Sequence, residues 1–207
     1  MLRPVDVATL RDMNPPLLVI VCGAAGSGKS TVARSMAVAL GACHLDKDDL
    51  APFVERLGTA LPGWQGPSDR ESETYRAELR PVEYQVLLDL AFSQLAVGCS
   101  VLLDAPLSTE LRDEDWCQEL AARVEAAGAV LRVVEVLAAD EERHWHIAER
   151  HEARDANKLA HWEDYLAGLR HGELAIAHER IVNDQGLAEL EEQALGLAGR
   201  WRARVGR

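Results

Sequence analysis

The chain has 207 residues, 48% hydrophobic and 27% charged, an ordinary globular balance with enough apolar material for one sizeable domain. Its formal net charge of −12 weighs against gripping a nucleic-acid backbone, which asks for a basic stripe. The opening stretch MLRPVDVATLRDMNPP has neither the apolar core nor the cleavage site of a secretory leader, and no apolar run is long enough to cross a bilayer, so a cytoplasmic chain without membrane contact is expected.

The first predicted element is a strand over 17–22, LLVIVC, a continuous apolar run. It leads into GAAGSGKST, in which Gly23, Gly28, Lys29 and Ser30 satisfy G-x-x-x-x-G-K-[ST] without a gap. A helix over 29–40 follows, with Val32, Ser35, Met36, Ala39 and Leu40 at helical spacing. Strand, glycine loop and helix together make a phosphate cradle of free backbone N–H groups at a helix N-terminus. Gly23, Ala24, Ala25, Gly26, Ser27, Gly28, Lys29, Ser30 and Thr31 are therefore expected to hold a nucleoside triphosphate. Lys29 is expected to reach its β- and γ-phosphates, and the Ser30 hydroxyl to bind Mg²⁺.

A second strand over 42–45 runs into HLDKDDL, which sets Asp46, Asp48 and Asp49 close together. Their mutual repulsion calls for an offsetting cation or a hydrogen-bonded substrate hydroxyl. A kinase also needs one carboxylate to take the proton of the attacking hydroxyl. Capping of a short helix at 49–57 by Asp46 or Asp48 is the plainer alternative. Residues 58–70, GTALPGWQGPSDR, break the pattern with turn formers around Trp64. They read either as a surface loop with one half-buried tryptophan or as a flap over the substrate.

A long helix over 71–97 carries Tyr75, Arg80 and Tyr84, with Pro81 kinking or starting its main segment and Arg80 a candidate substrate contact. The third strand, 100–103, ends at Asp104, the place of a Mg²⁺-side acid in a P-loop protein, or else a turn residue before Pro106. A helix over 109–127 and a strand over 129–137 come next. The helical pattern over 140–170 places Arg143, Arg150 and Arg154 on one face. They read as a clamp on the transferring phosphate or as partners of Glu142, Glu149 and Glu152 on a solvated face. A strand over 179–182 and a helix over 187–202 close the chain, and Asn183 and Asp184 are weak candidates for adenine recognition.

Five strands alternating with helices predict an α/β fold of three layers, a mainly parallel sheet covered on both faces, in one domain with a helical arginine-bearing lid near 139–157. Cys22, Cys43 and Cys99 lie in or beside strands and are expected as small buried hydrophobes. Six of the seven histidines fall between 144 and 178, but their spacing suits no zinc site. A GTPase is excluded by the missing N-K-x-D and D-x-x-G, since Asn157-Lys158 runs on to Leu159-Ala160. A motor ATPase lacks its glutamate, because Ala105 follows Asp104.

The stretches GAAGSGKST, HLDKDDL, YRAELRPVEY, SVLLDAPLS and RHEARDANKLAHWEDYL, spread over 17–185, resemble the small P-loop kinases. These include shikimate, gluconate and chloramphenicol kinases, the kinase domain of polynucleotide kinase and, most of all, bacterial AAA-domain ATP-binding proteins. The resemblance implies Asp48 as the base, Asp46 as a Mg²⁺-side acid, and Arg150 and Arg154 as lid arginines over the phosphates. Two departures stand out. Ala51 occupies the place of the arginine that grips a polynucleotide end, and Asp104-Ala105-Pro106 replaces the glycine run of shikimate kinases. The expectation is an ATP- and Mg²⁺-dependent kinase, monomeric or homodimeric, acting on a hydroxyl of a small sugar-like metabolite, nucleoside or antibiotic. Asp48, Trp64, Arg80 and Asp104 are expected around that acceptor. The alternatives are an ATP-binding regulatory module and a kinase of nucleic acids or nucleotide-sugars.

Overall fold

Five strands form one sheet in the order β2-β3-β1-β4-β5. They are β1 (Leu17–Cys22), β2 (Cys43–Asp46), β3 (Val101–Asp104), β4 (Val130–Leu137) and β5 (Glu179–Val182), and every neighbouring pair is parallel. The computed structural model describes residues 15–64, 66, 72–152, 155–169 and 172–205.

Both sheet faces are covered, which is why the central strands read as unbroken apolar runs. Leu18, Ile20 and Cys22 of β1 point to one side, where they meet α3 (Arg80–Ala96) and α4 (Glu114–Ala126) through Leu87, Leu95, Leu120 and Val124. Leu17, Val19 and Val21 point to the other, against α1 (Lys29–Leu40) and α8 (Leu187–Val205). Met36, Leu190, Leu197 and Trp201 fill that layer. These four are at most 2% exposed, and burying a large apolar side chain is worth about 1.5–3 kcal/mol.

Parallel strands place all their carboxyl ends on one edge, and there the chain departs most from simple helices. After β2 a 3-10 turn (Lys47–Leu50) precedes α2 (Ala51–Gly58). The long helix expected over 71–97 opens instead with a π-type turn (Tyr75–Leu79), and Pro81 sits in the first turn of α3. The π-type turn, closed by Arg80 N donating to Tyr75 O, leads the helical path into a proline that has no N–H to donate. A 3-10 turn (Glu110–Arg112) and the Asp113 cap, which accepts from Trp116 N at 3.0 Å, divide off α4.

Among the described residues, the helical stretch read over 140–170 divides into α5 (Asp140–Glu149), α6 (Ala156–Ala160) and α7 (Trp162–Gly168). Arg150 ends α5 as its C-cap, and His151 takes a left-handed φ of 51°. Two of the cysteines also differ from expectation. Cys22 and Cys117 are buried, but Cys43 and Cys99 are exposed. Cys43 opens the edge strand, and Cys99 lies in the turn before β3, so both stand at the uncovered amino end of the sheet.

Candidate active site

The phosphate-loop residues fold as a tight nest between β1 and α1. Gly28 has φ +94° and caps α1 without a side chain, and Thr31 N donates to Gly28 O at 3.0 Å. Gly26 has φ +79°, and a Cβ there would stand 2.5 Å from the Arg143 carbonyl oxygen. Glycine at 26 is thus a condition of α5 lying on the loop.

Three side chains far along the chain fasten this loop. His146 Nδ1 donates to Gly26 O at 2.9 Å, and Asn183 Nδ2 donates to Ser27 O at 3.2 Å. The Tyr165 hydroxyl accepts from Ala25 N at 3.2 Å. Asn183 is buried, so its amide serves the loop. It also borders a shallow hollow with Trp145, His146 and Gly186.

A cleft of about 910 Å³ opens beside the loop, lined by Lys29, Ser30, Asp48, Arg80 and Arg150 among the residues singled out from sequence. Asp46 and Asp104 stand side by side at the ends of β2 and β3, next to the turn that carries Asp48 but not in the cleft lining. Asp46 Oδ1 accepts from Asp48 N at 2.9 Å, so it caps the turn that carries Asp48, and capping and placement of the acid coincide. Asp104 is 1% exposed, and neither of its oxygens is in a well-formed hydrogen bond. Burial pushes its carboxyl above the usual range, Lys29 pulls it down, and the Asp46 charge pushes it up again. The Ser30 hydroxyl also pulls it down, and a buried acid with so little hydrogen bonding, beside a second acid, is an arrangement that a divalent cation satisfies. The residues present therefore fit Mg²⁺.

Arg143 and Arg150 are each held by an aspartate. Arg143 is buried, pairs with Asp140 at 2.5 Å and lies over the Trp162 ring at 5.6 Å. Arg150 borders the cleft and donates to the buried Asp155 at 2.6 Å. Asp140 faces Arg143 from one turn back on α5, and the left-handed turn at His151 follows Arg150 before the chain reaches its partner Asp155. Arg154 lies outside the described residues. Arg80 donates to Glu110 at 3.0 and 3.1 Å and lies 5.3 Å from the Tyr84 ring. Trp64 does not line the cleft. It packs with Val54, Tyr75 and Leu79 in a small cluster, its ring covering Gly58. Of the flap expected at 58–70, residues 65 and 67–70 lie outside the described residues.

Other charged groups went unnoticed in the sequence. Lys47 lines the cleft yet is buried, with Tyr75 and Glu83 around it. Glu135 takes Arg112 at 3.4 Å and Arg180 at 3.2 Å on the opposite wall. A glutamate inside the apolar run VVEVL was the available signal for that pair. Among the described residues the late histidines form no metal group, while His44 sits beside Asp46 and Asp104.

The chain resembles known proteins over most of its length. Residues 18–171 match the AAA domain family. A shikimate kinase of Paracidovorax citrulli is 35% identical over 105 residues, which is 48% of this chain and 53% of that enzyme, so the match spans about half the relative's length. A sugar kinase from Janibacter sp. superposes with a TM-score of 0.58 at 17% identity, over 88% of this chain and 94% of that one. A gluconokinase from Sinorhizobium meliloti does so with a TM-score of 0.55 at 17% identity, over 92% and 95%. Since the matched stretch runs from within β1 to beyond α7 and encloses the intact phosphate loop, the chain belongs to the AAA domain family and has the fold of the small P-loop kinases related to shikimate and gluconate kinases.

Proposed function

We propose that the chain transfers the γ-phosphoryl group of ATP to a hydroxyl of a small molecule. The observation that carries this reading is Asp48, a carboxylate carried by a capped turn into the cleft that Lys29 and Ser30 also line. The phosphate loop binds the triphosphate through its amides and Lys29. Asp48 accepts the proton of the acceptor hydroxyl while that oxygen attacks the γ-phosphorus, and ADP leaves. Lys29 and Arg150 neutralise charge on the transferring group. Ser30, Asp46 and Asp104 would hold Mg²⁺, which supplies further charge neutralisation at the phosphates. The hollow bordered by Trp145 and Asn183 adjoins the loop and is the place for the nucleotide base.

The cleft volume suits a nucleotide with a compact acceptor, and the acceptor side offers Arg80 and Arg112 for polar groups. Helices α5 to α7 act as the lid, excluding water from the reacting phosphate. The test is ATP consumption over a panel of hydroxylated metabolites, nucleosides and antibiotics, with products identified by phosphorus NMR or mass spectrometry. One acceptor gaining a single phosphoryl group, lost in Lys29→Ala, is the expected result. Tight ATP binding that no acceptor accelerates would replace this reading with a regulatory module. Salt-sensitive capture and labelling of an oligonucleotide would move the acceptor to nucleic acid.

A further inference from the structure

His44 has no role in the transfer described above, yet the sheet brings it to the cation-side acids. Asp46 and Asp104 are register partners on neighbouring strands, and His44 lies two residues before Asp46, so all three project from one face of the sheet. One ligating atom from each lies within 4.8 Å of the others, and His44 Nε2 stands 3.9 Å from Asp104 Oδ2. Bonds of about 2.0–2.2 Å to a divalent ion leave neighbouring donors roughly 3–4 Å apart, so small side-chain rotations would close the set.

Two further facts point to a ligand. Asp104 is 1% exposed with neither oxygen in a well-formed hydrogen bond, the Ser30 hydroxyl being the donor that bears on it, and His44 Nε2 is buried without a hydrogen bond. A chain folded only for itself would place donors there, because unsatisfied buried polar atoms are costly. Two cations compete for these acids: Lys29, whose charge acts on Asp104, and Arg34, 68% exposed and 4.0 Å from Asp46, a contact that water readily replaces.

We propose that His44, Asp46 and Asp104 form a three-donor site that binds a first-row transition ion such as Mn²⁺ or Co²⁺ without any nucleotide, and prefers it over Mg²⁺. The chemistry follows from the donors. Mg²⁺ demands oxygen ligands in near-octahedral array and sheds its water reluctantly, whereas an imidazole nitrogen strengthens binding along the series from Mn²⁺ towards Cu²⁺. Three protein donors also remove the need for a phosphate oxygen to complete the set. The inference rests on the reading of Asp46 and Asp104 as cation-side acids.

The test uses the full chain, free of any affinity tag and of nucleotide. Mn²⁺ is titrated by the loss of its free electron paramagnetic resonance signal, Co²⁺ by visible absorption, and Mg²⁺ is added as competitor. One ion per chain is expected, with Mg²⁺ displacing it only at tenfold or greater excess. Pulsed resonance on the Mn²⁺-loaded wild type should show nitrogen coupling. His44→Gln should abolish that coupling and weaken Mn²⁺ and Co²⁺ binding tenfold or more, at an unchanged melting temperature without metal. Equal affinities for Mg²⁺ and Mn²⁺, or Mn²⁺ bound through oxygen alone, would overturn the site, and the second result needs no variant. Since no readout involves phosphoryl transfer, a chain that binds these ions but phosphorylates nothing sinks the kinase reading alone.

Discussion

Lys47 Nζ lies 2.9 Å from Glu83 Oε2, with the two side chains 9% and 1% exposed, and the Tyr75 hydroxyl bonds to both. The pair ties the turn carrying Asp48 to α3. Removing one partner strands the other charge in a low-dielectric interior, which costs about 3–5 kcal/mol. Lys47→Met should therefore lower the urea midpoint sharply. Combining it with Glu83→Leu should recover most of the loss, because the stranded carboxylate is gone. A double variant as unstable as the single one would show that packing, and not charge, sets the cost.

Asn183 closes β5 onto the phosphate loop through its bond to Ser27 O. Asn183→Ala removes a buried donor and leaves that carbonyl without one, a cost of about 1–2 kcal/mol. ATP affinity measured by calorimetry should fall about 5- to 20-fold, with a smaller loss of thermal stability. An unchanged affinity would mean that the loop holds its shape without this bond.

Tyr165 offers its hydroxyl to Ala25 N, one of the amides that a phosphate would use. Nucleotide binding must exchange that bond for one to a phosphate oxygen. Tyr165→Phe keeps the ring against Trp162, whose centroid is 5.2 Å away, but removes the competitor. ATP should bind about two- to twelvefold more tightly, since one neutral hydrogen bond is worth roughly 0.5–1.5 kcal/mol net. Weaker binding would instead assign the hydroxyl to the nucleotide.

The thiols should divide two and two. Burial raises the Cys22 thiol to about 12, the Glu135 charge adds to this, and burial also raises Cys117. Both stay protonated as well as enclosed, and only the thiolate attacks a reagent. Cys43 and Cys99 are exposed. Dithionitrobenzoate at pH 8 should release two equivalents from the native chain and four in denaturant. Rapid labelling of all four in buffer would contradict the burial of Cys22 against Val134.

Sequence alone located the sheet and the phosphate loop because both are written locally. An apolar run such as LLVIVC names a strand buried on two faces, and GAAGSGKST dictates its own turn. Asp46, Asp48 and Asp104 were equally legible as acids at strand ends. The Lys47–Glu83 pair was not, since a lysine between aspartates gives no hint that α3 folds over it. The late helices misled for another reason. No glycine or proline marks the stop at Arg150, where His151 turns left-handed and Asp155 rather than a helical neighbour becomes the partner. Trp64 shows the same limit, because a tryptophan among turn formers fits a lid and a satellite core equally well until Val54 and Leu79 are placed beside it.

Asp48 and Asp104 are the two acids that the proposed transfer separates by role, and their surroundings differ enough to tell them apart. Asp48 sits on a turn and lines the open cleft, while Asp104 is enclosed at the end of β3 beside Asp46 and His44. A proton acceptor contributes about 10²–10⁴-fold to rate and little to ground-state binding. Asp48→Asn should thus leave ATP binding within about twofold and reduce turnover at least a hundredfold. Asp104→Asn should instead raise the divalent-ion concentration needed for half-maximal ATP binding, because it removes a charge facing the ion. Steady-state turnover and calorimetric titration of ATP at several metal concentrations distinguish the two. If Asp104→Asn alone destroys turnover with metal dependence intact, the base is Asp104, and Asp48 only positions the acceptor.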